Sequence, residues 1–302
     1  MESLLVRAGC FVAIIALGAL LRRAGMFQEK DFGLLSKISL RITLPCAIIT
    51  GFAGKTIAPS MLLIPLLGLG MGCLCMAVAF IFNLKNSPQR RAFELLNITG
   101  CNVGAMTIPF VQSFLGPGAV VVASLFDVGN AAMGLGTSYG VAAAIQDGKG
   151  FSFKRIGRAL LTSVPLITYI VMTVLTLLKL QLPAPVMEFA DIVGSANTFV
   201  AMLMIGVGFR LSADRSQLGR LLKMAAMRYS IAAALAALFW FVLPFDLLTR
   251  QTLVILAFSP IITAAPAFTG ELKNDVGLSS AFNSLCMIIS IVIFLVLLGA
   301  MV

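Results

Sequence analysis

The feature that most constrains this chain is a succession of apolar stretches, each about long enough to cross a membrane. The hydrocarbon core of a bilayer is about 30 Å thick and needs about 20 apolar residues per helix. Of the 302 residues, 60% are hydrophobic and 11% are charged, whereas about a quarter of the residues in soluble domains are charged. The sequence therefore predicts an all-α integral membrane protein. We place ten transmembrane helices near residues 3–21, 36–54, 60–82, 92–115, 118–145, 157–179, 186–209, 224–244, 252–269 and 277–301.

The basic residues predict which way these spans face. Eighteen of the 22 Lys and Arg residues fall in odd-numbered loops or at their flanks, and loops rich in these residues stay in the cytoplasm. We therefore expect a multi-pass protein of the cell (inner) membrane with both termini on the extracytoplasmic side. The eighteen are Arg22, Arg23, Lys30, Lys37, Arg41, Lys85, Arg90, Arg91, Lys149, Lys154, Arg155, Arg158, Arg210, Arg215, Arg220, Lys223, Arg228 and Lys273.

Several functional classes are disfavoured by composition. Histidine is absent, which excludes imidazole metal ligands and His-based catalytic triads. The six cysteines lie in apolar runs without a CxxC pair, so neither a disulfide framework nor a zinc site is indicated. The net charge of +10 is dispersed along the chain, which disfavours nucleic acid as a partner. We expect no enzyme and no cofactor.

Ten spans divide into two sets of five, and the second copy of an odd-numbered repeat must run inverted. We expect the first repeat at residues 1–148 and the second at residues 149–302. Span 4 and span 9 are both interrupted by helix-breaking residues, and paired interruptions of this kind point to a transporter binding site. The alternative is that they are ordinary kinks. The interrupting residues are Gly100, Gly104 and Pro109 in span 4, and Pro260 and Pro266 in span 9.

A broken helix in a membrane leaves backbone groups that must find partners. The positive ends of the half-helices would converge near the middle of the membrane and favour an anion. The opposite ends, with their freed carbonyls, suit a cation or a group that carries a proton. The candidate substrate-binding residues are Asn102, Gly104, Thr107, Pro109, Ser259, Pro260 and Thr263, together with Asn197 in span 7.

Span 5 carries an acidic residue near mid-membrane. Ser124, Asp127, Asn130, Gly134 and Thr137 recur at helical spacing and form one polar stripe. An ionised carboxylate there is costly, so Asp127 must be protonated, paired or bound to a cation. It could accept and release a proton during transport. Two alternatives remain: a Na⁺ site with Asn130, Thr137 and crossover carbonyls, and a structural carboxyl held by Asn102 or Asn130.

The span 4 stretch "NVGAMTIP" resembles the N-x-G-x-x-x-x-P signature of the auxin efflux carrier family, with Asn102, Gly104 and Pro109 at the motif positions. Three further stretches resemble the fifth, seventh and ninth spans of that family. They are "FLGPGAVVVASLFDVGN", "SANTFVAMLMIGVGFRL" and "AFSPIITAAPAFTGELKND". The long cytoplasmic loop of the plant members is missing here, so regulation through that loop is not expected.

This resemblance implies two inverted five-helix repeats whose broken helices 4 and 9 cross, as in sodium/proton antiporters and bile-acid symporters. It also implies a secondary transporter of small organic carboxylate anions that works by alternating access, coupled to H⁺ or Na⁺. The expected partners are that anion and the lipid bilayer, with a homodimer left open. The alternative function is a cation/proton antiporter or sodium-coupled symporter of the same fold, although only one mid-membrane acid is visible. A channel is a further alternative.

Overall fold

The computed structural model of the protein describes residues 2–28, 30–148, 152–209 and 217–301. The described residues form helices and connecting turns, with no β-strand among them. The helices in chain order are α1 (Glu2–Arg23), α2 (Asp31–Ile38), α3 (Leu44–Phe52), α4 (Ile64–Phe82), α5 (Pro88–Thr99), α6 (Ile108–Leu115), α7 (Pro117–Ala132), α8 (Ser138–Asp147), α9 (Phe153–Leu161), α10 (Val164–Leu177), α11 (Ala184–Ser195), α12 (Asn197–Gly208), α13 (Leu218–Phe241), α14 (Leu247–Ala257), α15 (Ala265–Glu271) and α16 (Val276–Met301).

Short segments of wider or tighter helix join some of these elements. Three π-helical turns lie at Ser39–Thr43, Val103–Thr107 and Met133–Thr137, and a 3₁₀ turn at Pro59–Leu63 precedes α4. Each π turn continues directly into the helix that follows it, so α2–α3 and α7–α8 are continuous spans with a local widening. Such widenings are frequent at functional sites.

Six helices in the described part of the chain are long and apolar enough to cross a membrane, and the bent pair α9–α10 makes a seventh if it is counted as one span. They correspond to predicted spans 2, 3, 5, 7, 8 and 10, with the bent pair at span 6. Predicted spans 4 and 9 contain only shorter apolar helices, because each is broken near its middle. The total of ten spans and the two inverted repeats stay predictions.

Local sequence explains where the broken spans begin. The Ser87 side chain accepts a hydrogen bond from the Arg90 amide and Pro88 opens α5, while the Asp246 side chain accepts one from the Thr249 amide at the start of α14. Side-chain caps of this kind satisfy free amides at a helix N-terminus. The two broken spans therefore start at defined residues, and each is interrupted later in the chain, after α5 and after α14.

The helices pack as two bundles. The supporting bundle contains α1–α3 and α10–α12, and the crossover bundle contains α4–α8 and α13–α16; α9 contacts both. Within the crossover bundle, α4 and α7 pack closely enough that a Cβ added to Gly129 would lie 1.8 Å from the Pro65 carbonyl oxygen. The two bundles meet mainly where α3 and α10 contact α7, and this boundary positions the candidate site.

Most basic residues assigned to loops lie at helix ends, but one assignment was wrong. Arg228 lies ten residues into α13 and is 1% exposed, so it is not a loop-flanking residue. The sequence placed span 8 at 224–244, whereas α13 begins at Leu218. Lys149, Arg210 and Arg215 lie outside the described residues.

Candidate functional site

The two broken spans contact each other at their interruptions. Helix α5 ends at Thr99 and helical structure resumes at Val103. In the gap, Cys101 and Ile261 form an isolated antiparallel bridge, and the Asn102 amide donates to the Pro260 carbonyl at 2.8 Å. Each interruption thus supplies hydrogen-bond partners for the backbone of the other. Unwound backbone inside a membrane needs such partners, because lipid offers none.

Gly100 allows this close approach. A Cβ added there would lie 2.9 Å from the Ile262 side chain and 3.2 Å from the Gly134 Cα. Contacts this short would force a neighbouring atom to shift, and at Gly134 the neighbouring atom belongs to the backbone. Gly100 is therefore the point at which span 4 meets both the second interruption and the π turn that follows α7.

Asn130 closes the first interruption from the side of α7. Its Oδ1 accepts from the Cys101 amide at 3.0 Å, and its Nδ2 donates to the Cys101 carbonyl at 2.9 Å. The side chain is 2% exposed. The Asn130 side chain thus satisfies both the backbone amide and the backbone carbonyl of Cys101, which lies outside any helix.

Arg228 reaches both interruptions from α13. Its guanidinium donates to the Ile98 carbonyl, to the Ser259 carbonyl at 2.7 Å and to the Pro260 carbonyl at 3.2 Å. Sequence reasoning missed this role, because it counted Arg228 among the residues that flank a loop. The signal was available, because a charged residue inside a span is a functional-site candidate by default.

Asp127 lies beside the crossover with both carboxyl oxygens engaged. Oδ1 accepts from Asn130 Nδ2 at 2.7 Å, and Oδ2 accepts from the Tyr169 hydroxyl at 3.0 Å. Of the two partners that the sequence left open for a structural carboxyl, Asn102 or Asn130, the structure shows a hydrogen bond with Asn130. Tyr169, from α10 of the supporting bundle, was not predicted, and no sequence pattern distinguishes it.

A cavity of about 260 Å³ opens between the two bundles at this point. Its polar lining comes from α2–α3, the first interruption, α7, the α9–α10 bend and the second interruption. Asn102 is 4% exposed, and its Nδ2 has no hydrogen-bond partner among the described residues. The polar residues that line the cavity are Arg41, Asn102, Asp127, Asn130, Thr162, Ser163, Tyr169 and Thr263.

Some predicted site residues hold the crossover together and do not line the cavity. The Thr107 and Ser259 hydroxyls share a hydrogen bond of 2.7 Å across the two spans. Pro260 supplies carbonyl contacts in the second interruption. Pro109 does not lie in a gap: it is a buried residue inside the continuous helical segment Val103–Leu115, just after the π turn. Gly104 does line the cavity, and a Cβ added to it would lie 3.6 Å from Asp127 Oδ2.

Two other predicted residues lie away from the cavity lining. The Thr137 hydroxyl donates to the Ala132 carbonyl at 2.7 Å within its own helix. Asn197 lies inside the supporting bundle, where its Oδ1 accepts from the Thr43 hydroxyl at 2.9 Å and the Ser39 hydroxyl at 3.4 Å. The structure therefore does not bring either residue together with Asp127 or Asn102.

Part of the chain is similar to a known family of membrane proteins. Residues 10–146 match the family described as Membrane transport protein, which is the membrane transport domain of the auxin efflux carrier family. This segment is similar to the membrane transport proteins of that family. No curated protein sequence matches the chain. The auxin efflux carrier match includes the first interruption, Asp127 and Asn130, and confirms the resemblance inferred from the span 4 motif. The second interruption and Arg228 lie beyond the matched residues.

Proposed function

We propose that this membrane transporter carries small organic carboxylate anions by alternating access and binds them in the cavity between the two bundles. The observation that carries this proposal is the unpaired Nδ2 of the buried Asn102 in the cavity wall. A buried donor without a partner is costly, and a carboxylate oxygen of a substrate would satisfy it. The helical segment after Asn102 begins with Val103, Gly104 and Ala105, which also line the cavity. The positive N-terminal end of this segment favours an anion.

The remaining polar groups of the cavity suit the same ligand. Arg41 lines it from the supporting bundle, and its guanidinium makes no hydrogen bond or ion pair to any described residue. A guanidinium binds a carboxylate through two parallel hydrogen bonds. Thr162 and Ser163 add hydroxyl groups at the α9–α10 bend. The volume of about 260 Å³ lies just below the usual range for ligand pockets, which begins at about 300 Å³, and this favours a small substrate.

Asp127 makes a proton the preferred coupling ion. Among the described residues it is the one acidic residue that lines the cavity, and an ionised carboxylate there would repel a bound anion. Protonation of Asp127 removes that repulsion, so the anion and the proton bind together. The two are then transported in the same direction, which is symport. Na⁺ would need several oxygen ligands, and among the described residues Asp127 is the only carboxylate in the cavity lining.

Movement of one bundle against the other would expose the cavity to each side in turn. Arg41 and Ser163 line the cavity and follow loops that the charge distribution assigns to the cytoplasm. On the opposite side, Phe11 of α1 packs against Phe110 and Phe114 of α6 at centroid distances of 4.9 and 5.3 Å. This aromatic contact joins the two bundles, and it supports the proposal of an inward-open state in which the extracytoplasmic side is closed and both termini lie outside.

Uptake of radiolabelled mono- and dicarboxylates into proteoliposomes tests this function. The pH, Na⁺ and voltage gradients are imposed one at a time, with protein-free liposomes as the control for passive entry of the acid. We expect saturable uptake of a carboxylate that responds to the pH gradient. If no carboxylate moves under any gradient while Na⁺ exchanges for H⁺, the chain is a cation/proton antiporter and the proposal fails.

A further inference from the structure

Arg228 is a buried cation that makes no ion pair with any described carboxylate. Its 1% exposure places it inside the crossover bundle, and its partners are backbone carbonyls and the Cys101 sulfur at 3.4 Å. A buried charge without an opposite charge is costly unless other groups compensate it. The compensation here must come from the carbonyls that receive its hydrogen bonds.

Those carbonyls belong to two converging helix ends. Ile98 lies in the last turn of α5, and Ser259 follows the end of α14 by two residues. The C-terminus of a helix carries a partial negative charge on its unpaired carbonyls. The Arg228 guanidinium therefore lies between two negative helix ends, where its planar, forked donors can serve carbonyls of both spans at once.

We propose that Arg228 is a built-in counterion of the crossover, occupying with its own side chain the carbonyl site that a transported metal cation would otherwise need. The protein then requires no Na⁺ at this place, and its crossover carbonyls are permanently neutralised. The positive end of the segment after Asn102 is left without a competing negative helix end, which favours an anion in the cavity. Arg228 does not touch the substrate; it is a positioning residue that ties the two interruptions together. The consequence for the anion rests on the proposed function, whereas the carbonyl site does not.

Chemical rescue of Arg228→Ala tests this assignment. Truncation removes the cation and leaves the Ile98, Ser259 and Pro260 carbonyls facing the vacated space. We expect a loss of carboxylate uptake of roughly tenfold or more and a lower thermal unfolding temperature. Millimolar methylguanidinium should raise both, whereas the neutral isostere methylurea should raise neither. Arg220→Ala is the matched control: Arg220 lies on the same helix and pairs with Glu94 at 3.1 Å, so methylguanidinium should not change that variant.

A second variant covers the case in which Arg228→Ala does not fold. Arg228→Gln keeps a donor for the carbonyls but removes the charge, and we expect its uptake to become dependent on added Na⁺, Li⁺ or methylguanidinium. Wild-type uptake should be equal in sodium, potassium and choline buffers. Uptake by Arg228→Gln that matches wild type without any of these cations would overturn the inference, and so would equal rescue of Arg228→Ala by methylurea.

The two readouts separate this inference from the proposed function. Thermal unfolding of the purified protein needs no substrate. Selective stabilisation of Arg228→Ala by methylguanidinium, in a preparation whose wild type transports no carboxylate, would support the counterion and refute the carboxylate function. Carboxylate transport by wild type, combined with no cation-specific rescue of either variant, would refute the counterion alone.

Discussion

Replacing Asp127 with Asn should uncouple transport from the pH gradient while leaving the fold intact. The amide has nearly the shape of the carboxyl group, and both hydrogen bonds can persist. The new Oδ1 accepts from Asn130, as Asp127 does at 2.7 Å, and the new Nδ2 donates to the Tyr169 oxygen, now 3.0 Å from Asp127 Oδ2. Neutral hydrogen bonds are weaker than charge-assisted ones by about 1 kcal/mol each. The loss is partly offset because no charge remains buried.

The effect on coupling is larger and can be calculated. One pH unit corresponds to about 1.4 kcal/mol per proton, or about a tenfold concentration ratio. Wild-type proteoliposomes with a pH gradient of one unit and the voltage clamped by potassium and valinomycin should therefore accumulate the carboxylate about tenfold per coupled proton. The Asp127→Asn variant should only equilibrate it, at a ratio near one, because position 127 no longer carries a proton through the cycle.

Tyr169→Phe is the matched control for this experiment. It removes one donor to Asp127 but keeps the titratable carboxyl group, so accumulation should still follow the pH gradient. Unchanged tenfold accumulation by Asp127→Asn would refute the assignment of the proton site. Loss of all carboxylate exchange by a folded Asp127→Asn protein would instead show that this carboxyl group is needed for substrate binding.

Three further substitutions address the cavity and its surroundings. Asn102→Ala should weaken carboxylate affinity by about 1.5–3 kcal/mol, since the hydrogen bond to a charged ligand is lost; unchanged affinity in equilibrium binding would remove Asn102 from the site. Asn197→Ala should keep that affinity but lower the free energy of unfolding by about 1–3 kcal/mol, because the Thr43 hydroxyl loses its buried acceptor; a change in affinity with no change in stability would contradict this. Phe11→Ala should raise the hydrogen-exchange rate of the helix that carries Phe110, because the aromatic contact that closes the outer side is lost; unchanged exchange would mean that this contact does not hold the closed state.

Features that depend on local helix chemistry could be predicted from the sequence. Gly100 and Pro260 break apolar runs that otherwise favour helix, and both interruptions are present in the structure. Asp127 and Asn130 share one face of a helix at a spacing of three residues, and a hydrogen bond between them was one of the alternatives that the sequence left open. These predictions succeeded because backbone preference and helical periodicity act over only a few residues.

The depth of a residue in its span, and the helix surfaces that face each other, could not be predicted reliably. Arg220 and Lys223 lower the hydropathy of the first turns of α13, so the predicted span began too late and Arg228 looked like a flanking residue. Asn197 is an amide in an apolar run, as Asn102 is, but the sequence does not show which bundle each one faces. Tyr169 reaches Asp127 only because α10 packs against α7, a contact between distant parts of the chain.

The position of a bound substrate tests the central claim most directly. An electron cryo-microscopy map of the protein with a saturating, transported carboxylate should show the ligand in the cavity of about 260 Å³, with a carboxylate oxygen within hydrogen-bond distance of Asn102 Nδ2. A second cavity of about 270 Å³ lies beside Arg22 and Phe209 and offers an independent cationic surface. Ligand density at this second cavity, with the cavity at Asn102 empty, would contradict the account.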